Sequence, residues 1–399
     1  MWYFKFMNKS PLRCCLLNRL PRSLWQCSSK HALLGLVISL FAAPALGLEP
    51  SCKDPIPAPS VVREFLDTLW FQAHEPFMER YDALLNAESY LDSLANDQSP
   101  EAQLTLAISL VSPIYERPCP EDQSCTKVEP SATDQRRALS IVQALSQSHP
   151  GDVAHWLWGI RLCGHLYTDN DLAIHDCAMP FAEGLRRSHP EDAAGYLALA
   201  EIHLTANEHP QAQRVMAEAI NARQMTTSFG LTVNRQAQVL AKHLPGPVFG
   251  EPEGMREMAL TTVALGRTLA IDRRSFRTTQ FCSKSTDFEI QQACLTAADA
   301  MVLPGADLIE VKLSLAIQRE ILKRRVSDAR FDERRTIYRL RRDEDARLNI
   351  SKLSQFNADD FVGYFVELEE KGEYAMLKEF ELLPPHCAKV RPEDRVAGR

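Results

Sequence analysis

Glycine is scarce in this chain, and the scarcity bears on the fold class. The sequence has 16 glycines among 399 residues, fewer than the usual proportion of about 7%. A turn-rich β fold needs glycine where the backbone takes positive φ. No stretch shows the strict apolar–polar alternation of a half-buried strand, and amphipathic helical patterns occupy most of the chain instead. The sequence therefore predicts an all-α protein.

Polar turns separate the helical patterns and indicate how the helices pack. Ser99 before Pro100 is typical of a helix start, as is Asn357 before an acidic first turn. Helices joined by short turns pack as antiparallel hairpins. We therefore expect stacked hairpins, in an open α-solenoid or a closed α/α arrangement, with local disulfides. The predicted helices are residues 59–73, 76–95, 100–115, 133–147, 151–167, 171–187, 191–207, 209–223, 226–243, 252–270, 286–302, 306–326, 329–347, 358–370 and 373–382.

The stretch LPGPVFGEPEG at 244–254 is the strongest internal boundary. It has three prolines and three glycines, the residues that most often interrupt helices. We expect it to separate a helical-repeat domain at 48–245 from a C-terminal helical domain at 255–399.

Acidic residues are absent from the first 47 positions, which differ from the rest of the chain. Six basic residues precede an apolar run of about 16 residues that begins at Ala32. Ala45 and Gly47 are the small residues of a cleavage site before Leu48, so the pattern predicts a signal peptide at 1–47 and a secreted or periplasmic protein. A retained anchor is the alternative. The run is shorter than the roughly 20 residues that span a bilayer, so we expect no membrane span after cleavage.

Positive charge is deficient once the leader is removed. The remaining chain has 39 basic and 52 acidic residues, a formal net charge of −13. Nucleic-acid binding depends on basic contacts to phosphate, so we expect no nucleic-acid partner. The stretch 319–342 is an exception with a net charge of +6. It either binds an anionic polymer or headgroup, or is a solvated helix with internal ion pairs such as Glu320 with Arg324.

Familiar catalytic motifs are also missing. The sequence has no G-x-S-x-G, no H-E-x-x-H and no glycine-rich phosphate loop, which would mark hydrolases, zinc proteases and nucleotide-binding sites. Asp171 and His175 are four residues apart and can pair on one helix face, but no nucleophile accompanies them. The sequence therefore indicates no catalytic residue and no cofactor.

A short motif recurs forty residues apart. Ser-His-Pro-Gly-Asp at 148–152 returns as Ser-His-Pro-Glu-Asp at 188–192, and each copy opens a helix. Repeats of this period with helix-turn-helix content are typical of helical solenoids. The second unit, 191–223, resembles a tetratricopeptide repeat, although Gln224 replaces its closing proline. The resemblance implies a scaffold for a protein or peptide partner, with repeat-packing positions at Tyr196, Leu199, Ala200, His203, Ala212, Met216 and Ala219.

Eight cysteines follow the leader, and they predict disulfides. An even number of cysteines in an exported chain is usually paired. Cys163 and Cys177 are equidistant from the turn between two predicted helices, which places them at the same height in an antiparallel hairpin. Local pairing leaves Cys52 and Cys387, which we expect to pair with each other. The expected local pairs are Cys119–Cys125, Cys163–Cys177 and Cys282–Cys294.

The stretch CGHLYTDNDLAIHDC at 163–177 also permits a metal site. Cys163, His165, His175 and Cys177 are a ligand set that suits zinc. However, residues two apart on a helix face away from each other, so each Cys–His pair converges only on extended backbone. We therefore expect the disulfide and no metal, and keep the four-ligand site as the alternative.

These observations favour a binding protein over an enzyme. The first hypothesis is an exported helical-repeat protein that acts as a protein- or peptide-binding scaffold or as an envelope scaffold. The alternative is a polysaccharide-acting enzyme of the α/α-toroid type, whose carboxylates would come from distant helices.

Overall fold

The computed structural model describes most of the chain from residue 84 onward. The predicted signal peptide, the predicted helix 59–73, and Cys52, Cys119, Cys125 and Cys387 lie outside the described residues. The described residues are 84–85, 87–112, 114–115, 127–128, 130–244, 255–271, 277–348 and 358–379.

The chain divides into two units. One comprises residues 1–53 and 114–129, and its described part is a pair of two-residue antiparallel strands, β1 (Ile114–Tyr115) and β2 (Lys127–Val128). The other unit has fifteen α-helices in its described residues, which confirms the predicted all-α class. We predicted helix as far as residue 115, but that helix ends at Val111 because Ser112 takes an extended conformation, as residues before proline prefer to do.

The helices are short to medium in length, and two 3-10 turns accompany them at Ala219–Asn221 and Ala329–Phe331. Among the described residues, none of these helices is both long and apolar enough to cross a membrane. In chain order they are α1 (Glu88–Asn96), α2 (Pro100–Val111), α3 (Ala132–Ser148), α4 (Val153–Leu166), α5 (Asp171–Ser188), α6 (Ala193–Thr205), α7 (His209–Glu218), α8 (Ser228–His243), α9 (Met255–Ile271), α10 (Arg277–Lys284), α11 (Phe288–Ala300), α12 (Leu308–Arg324), α13 (Asp332–Asp345), α14 (Ala358–Lys371) and α15 (Glu373–Glu379).

Helices α1 to α7 form a stack in which each helix packs against the next one. This is the packing expected of consecutive antiparallel hairpins, and it agrees with the solenoid-like arrangement that we predicted. At the end of the stack, α7 packs against α11, and α11 packs against α12. The packing order therefore follows the chain through α7 and then skips to α11.

Helices α8 and α9 leave this order and cover one face of the stack. They pack against each other and against α2 and α4. The indole nitrogen of Trp158 on α4, which is fully buried, donates to Thr232 Oγ1 on α8 at 3.0 Å. Arg267 on α9 donates to Ser109 Oγ on α2 at 2.5 Å. Helices from both sides of the 244–254 stretch thus pack together, while the division into domains 48–245 and 255–399 stays a prediction.

Helix α10 was not predicted from the sequence. Its eight residues, RTTQFCSK, are mostly polar, and threonine has a low helix propensity. A tertiary contact satisfies a backbone donor at its N-terminal end, where the N–H of Thr278 donates to Glu201 Oε1 on α6 at 2.9 Å. Packing against other helices therefore overrides the weak local preference.

Two glycines with positive φ join the C-terminal helices to the stack. Gly305 has φ 92° and Gly372 has φ 78°, values that favour glycine. A Cβ on Gly372 would lie 2.6 Å from the backbone of Gly305, and a Cβ on Gly305 would lie 2.5 Å from the Met225 carbonyl oxygen. Only glycine allows three backbone segments to meet this closely.

Candidate functional site

The recurring motif builds the same helix start twice, in repeat 1 (residues 148–187) and repeat 2 (residues 188–227). Asp152 Oδ1 accepts a hydrogen bond from the Ala154 backbone N–H at 2.9 Å, and Asp192 Oδ1 accepts one from Ala194 at the same distance. Both aspartates are therefore N-caps, which is the reason for aspartate at this position of the motif.

The proline of the motif receives a side-chain hydrogen bond in both repeats. Trp156 Nε1 donates to the Pro150 carbonyl at 3.0 Å, and Tyr196 Oη donates to the Pro190 carbonyl at 2.8 Å. His189 Nε2 also lies 3.2 Å from the Pro150 carbonyl, so the turn of repeat 2 contacts the turn of repeat 1. An aromatic polar group six residues after the proline thus fixes each turn onto its helix.

A disulfide closes the α4–α5 hairpin of repeat 1. Cys163 is bonded to Cys177, with Cα atoms 5.6 Å apart, which confirms the predicted pair. The alternative four-ligand metal site is not formed, because each sulfur is bonded to the other and neither is a thiolate. His165 and His175 lie on opposite helices of this hairpin.

Two glycines allow α4 and α5 to approach closely. A Cβ on Gly159 of α4 would overlap the ring of Phe181 on α5, and a Cβ on Gly184 of α5 would overlap the indole of Trp156 on α4. Each helix therefore receives an aromatic ring of the other, while Cys163, one turn beyond Gly159, makes the cross-link.

Three side chains from consecutive helices form a cluster, which we call the histidine cluster: His175, His203 and Glu208. His203 Nδ1 lies 2.6 Å from Glu208 Oε2, and His175 Nε2 lies 3.8 Å from the same oxygen. One potential ligand atom from each residue lies within 4.8 Å of the others. The side chains are 21%, 15% and 37% exposed respectively, so the cluster is reachable from solvent but mostly enclosed.

The local backbone explains why the cluster converges. His175 lies in the second turn of α5, His203 lies near the C-terminus of α6, and Glu208 is the N-cap residue of α7. Asn207 has φ 61°, a left-handed conformation that asparagine tolerates better than most residues. This single turn reverses the chain between α6 and α7 and places Glu208 over the end of α6.

A fourth side chain touches the histidine cluster from outside. Asp176 Oδ1 lies 3.1 Å from His175 Nδ1, so the Nδ1–H donates to this carboxylate in the tautomer that leaves Nε2 free as an acceptor. The Nε2 atom is the one that faces Glu208. The sequence had indicated His175 with Asp171, but Asp171 instead accepts a hydrogen bond from Arg277 at 2.7 Å.

Sequence reasoning did not assemble the histidine cluster. His203 was singled out as a repeat-packing residue, and Glu208 was not singled out. Their partner His175 comes from the preceding repeat, so no motif within one repeat contains all three. The six other repeat-packing residues, Tyr196, Leu199, Ala200, Ala212, Met216 and Ala219, are buried; the likeness to the tetratricopeptide family stays a prediction.

A second disulfide lies close to the end of repeat 2. Cys282 of α10 is bonded to Cys294 of α11, which confirms the second predicted pair within the described residues. Cys282 Sγ also lies 4.0 Å from Met216 Sδ on α7. The disulfide therefore links α10, which the sequence did not predict, to α11, which packs against α7 at the end of the stack.

The basic stretch 319–342 is engaged within the protein. Asp299 contacts both Arg334 and Arg341. Arg325 donates to Gln291 Oε1 at 2.7 Å and to the Thr286 carbonyl at 2.8 Å. Glu320, which we predicted to pair with Arg324, instead contacts the adjacent Arg319. The other arginine contacts in this stretch are with Ser285, Asp328, Asp332, Arg335 and Asp343.

Comparison of the chain with protein-family models, with curated proteins and with solved structures finds no match.

Proposed function

We propose that this is an exported helical-repeat protein that serves as a scaffold for a protein or peptide partner. The proposal rests on the helix start that repeats 1 and 2 share. In each repeat an aspartate caps the helix, and an aromatic side chain donates to the carbonyl of the motif's proline. Stacked hairpins of this kind present an extended, rigid surface. Export to an oxidising compartment is supported by the two disulfides, since such bonds are rare in reducing compartments.

The face of the stack formed by α2 and α4 is not the proposed binding surface, because α8 and α9 cover it. The tip of the α4–α5 hairpin is better suited. Tyr167 and Leu172 are exposed there, Leu172 by 68%, and Asp169 between them is also exposed. The Cys163–Cys177 bond holds this tip in place, which reduces the entropic cost of binding.

The chemistry of the tip predicts the chemistry of the partner. Tyrosine is enriched among the residues that anchor interfaces, Leu172 adds exposed apolar surface beside it, and the neighbouring carboxylate adds negative charge. The partner would therefore insert an apolar side chain that is flanked by lysine or arginine.

Photo-crosslinking in the native host tests the proposal. A photoreactive amino acid at Leu172 should capture one defined partner. The same substitution at Leu340, which is 67% exposed on α13, is the matched control and should not capture it. The purified partner should then bind the Leu172→Asp variant about tenfold more weakly or worse, since the change places a charge on an apolar anchor. Equal capture at both positions, or unchanged binding by the variant, would contradict the proposal.

A hydrolysis assay separates this proposal from a polysaccharide-acting enzyme. The purified protein, incubated with neutral and acidic polysaccharides, should release no reducing ends. Release that disappears when a single carboxylate is replaced by its amide would overturn the scaffold proposal in favour of the enzyme.

The N-terminus of the protein isolated from its host tests export. Intact-mass and peptide analysis should find Leu48, or a residue within a few positions, as the first residue. A chain that begins at Met1 in the mature protein would contradict cleavage.

A further inference from the structure

We propose that the histidine cluster, His175, His203 and Glu208, binds a divalent transition-metal ion, zinc in the first instance. This goes beyond the proposed scaffold function and does not depend on it. The ion would join α5 of repeat 1 to α6 and α7 of repeat 2, whereas the disulfide joins α5 to α4.

The distances are close to those of a zinc site. Ligand atoms at about 2.0–2.1 Å from a tetrahedral zinc ion lie about 3.3 Å from each other. His203 Nδ1 and His175 Nε2 lie 2.6 and 3.8 Å from Glu208 Oε2, one shorter and one longer than that separation. Shifts of less than about 1 Å would place the ligand atoms around zinc, and these partly exposed side chains have room to move.

The types of ligand select the class of metal. Two imidazoles and one carboxylate suit zinc, nickel and copper, whereas calcium and magnesium prefer oxygen ligands throughout. Three protein ligands leave one tetrahedral position open for water or another small ligand. The ion would also replace the proton that His203 and Glu208 share in their hydrogen bond.

Asp176 provides the outer hydrogen bond that is common at metal sites. Histidines that bind metals usually donate their second ring N–H to a carboxylate, which fixes the tautomer and strengthens the ligand. Asp176 Oδ1 lies 3.1 Å from His175 Nδ1 and leaves Nε2 directed at Glu208. This positioning residue is adjacent to His175 in the chain and is itself 82% exposed.

Calorimetric titration with Zn²⁺ tests the proposal. The purified protein should be free of affinity tags, treated with a chelator and kept with its disulfides intact. We expect one zinc ion per chain. His175→Gln, His203→Gln and Glu208→Gln should each weaken binding by at least about tenfold, and Asp176→Asn by about tenfold, since even outer partners of a metal site commonly contribute that much.

Two control variants distinguish this site from the one that the sequence suggested. His165→Ala and the double variant Cys163→Ala/Cys177→Ala should bind zinc as the wild type does, because neither changes a ligand. Thermal melting without zinc shows whether each variant is folded, and added zinc should raise the melting temperature only where the ligands remain. The proposal is overturned if zinc does not bind, if the glutamine variants bind it unchanged, or if either control loses it.

Discussion

Repeats 1 and 2 begin with the same capped turn, but different contacts join the two helices of each repeat. In repeat 1, α4 and α5 are joined by a disulfide and by aromatic rings that pack onto Gly159 and Gly184. In repeat 2, small residues line the packing between α6 and α7, and His203 contacts Glu208 where repeat 1 has its cross-link. Forty residues separate Cys163 from His203, so these two residues occupy equivalent positions on α4 and α6. Their partners do not, because the residue equivalent to Cys177 is Ala217 and not Glu208.

The same offset pairs residues whose environments differ. His155 on α4 corresponds to Gly195 on α6. A Cβ on Gly195 would lie 3.0 Å from the Arg186 backbone nitrogen, so α6 approaches α5 too closely for a histidine. The helix start depends on residues close together in the chain, so it is the same in both repeats. The contacts that join the two helices of each repeat depend on which helix packs opposite, so they differ.

The largest expected effect distinguishes the two N-caps. Asp192 is fully buried, and it also accepts hydrogen bonds from Gln224 and from Thr226. Asp192→Ala should lower the free energy of unfolding by about 3 kcal/mol, because it leaves the buried Ala194 N–H and the half-buried Thr226 N–H without their acceptor. Asp152→Ala, at the half-buried equivalent, should cost about 1–2 kcal/mol. Urea denaturation measures both, and equal losses would show that burial does not separate the two caps.

A smaller effect concerns the packing of repeat 1. Gly159→Ala should cost about 2 kcal/mol, because the new methyl group overlaps the buried ring of Phe181, and overpacking typically costs 1–3 kcal/mol. Gly164→Ala on the same helix is the matched control. A Cβ there meets nothing within 4 Å, so alanine should be neutral or stabilise the helix by up to about 1 kcal/mol. A loss at Gly164 as large as that at Gly159 would contradict the close-approach argument.

The turn contact of repeat 2 should contribute less. Tyr196→Phe keeps the ring and removes only the hydroxyl that donates to Pro190, so it should cost about 1 kcal/mol. Tyr167→Phe, at the exposed hairpin tip, should leave thermal stability unchanged. If the two variants melt together, the recurring contact does not stabilise the turn.

The smallest expected effect is a dependence on pH that only repeat 1 has at this position. Burial lowers the pKa of His155 from its usual 6.5, although Asp152 opposes the shift. The unfolded chain therefore binds the proton more readily, so stability present above about pH 6.5 falls as the pH drops through the folded-state pKa. His155→Gln should show a shallower loss between pH 7.5 and pH 5.5 in urea titrations. Parallel curves for the two proteins would contradict the role of His155.

The sequence by itself determined the local features of this protein. The helix start at Ser99 and the pairing of Cys163 with Cys177 depend on residues close together in the chain, so spacing and capping chemistry were enough to predict them. The all-α class follows for the same reason, since helical periodicity is a local pattern.

Only the tertiary structure decided which distant segments meet. Helix α10 packs against other helices, and its Thr278 N–H donates to Glu201 on α6. Helices α8 and α9 cover α2 and α4, although the hydrophobic periodicity of α8 and α9 does not indicate which helices they contact. The histidine cluster depends on the left-handed turn at Asn207 and on the packing of repeat 1 against repeat 2. Hydrophobic burial is non-directional, so a helical pattern shows only that one face of the helix will be buried. Shape complementarity between whole helices decides which helix that face packs against.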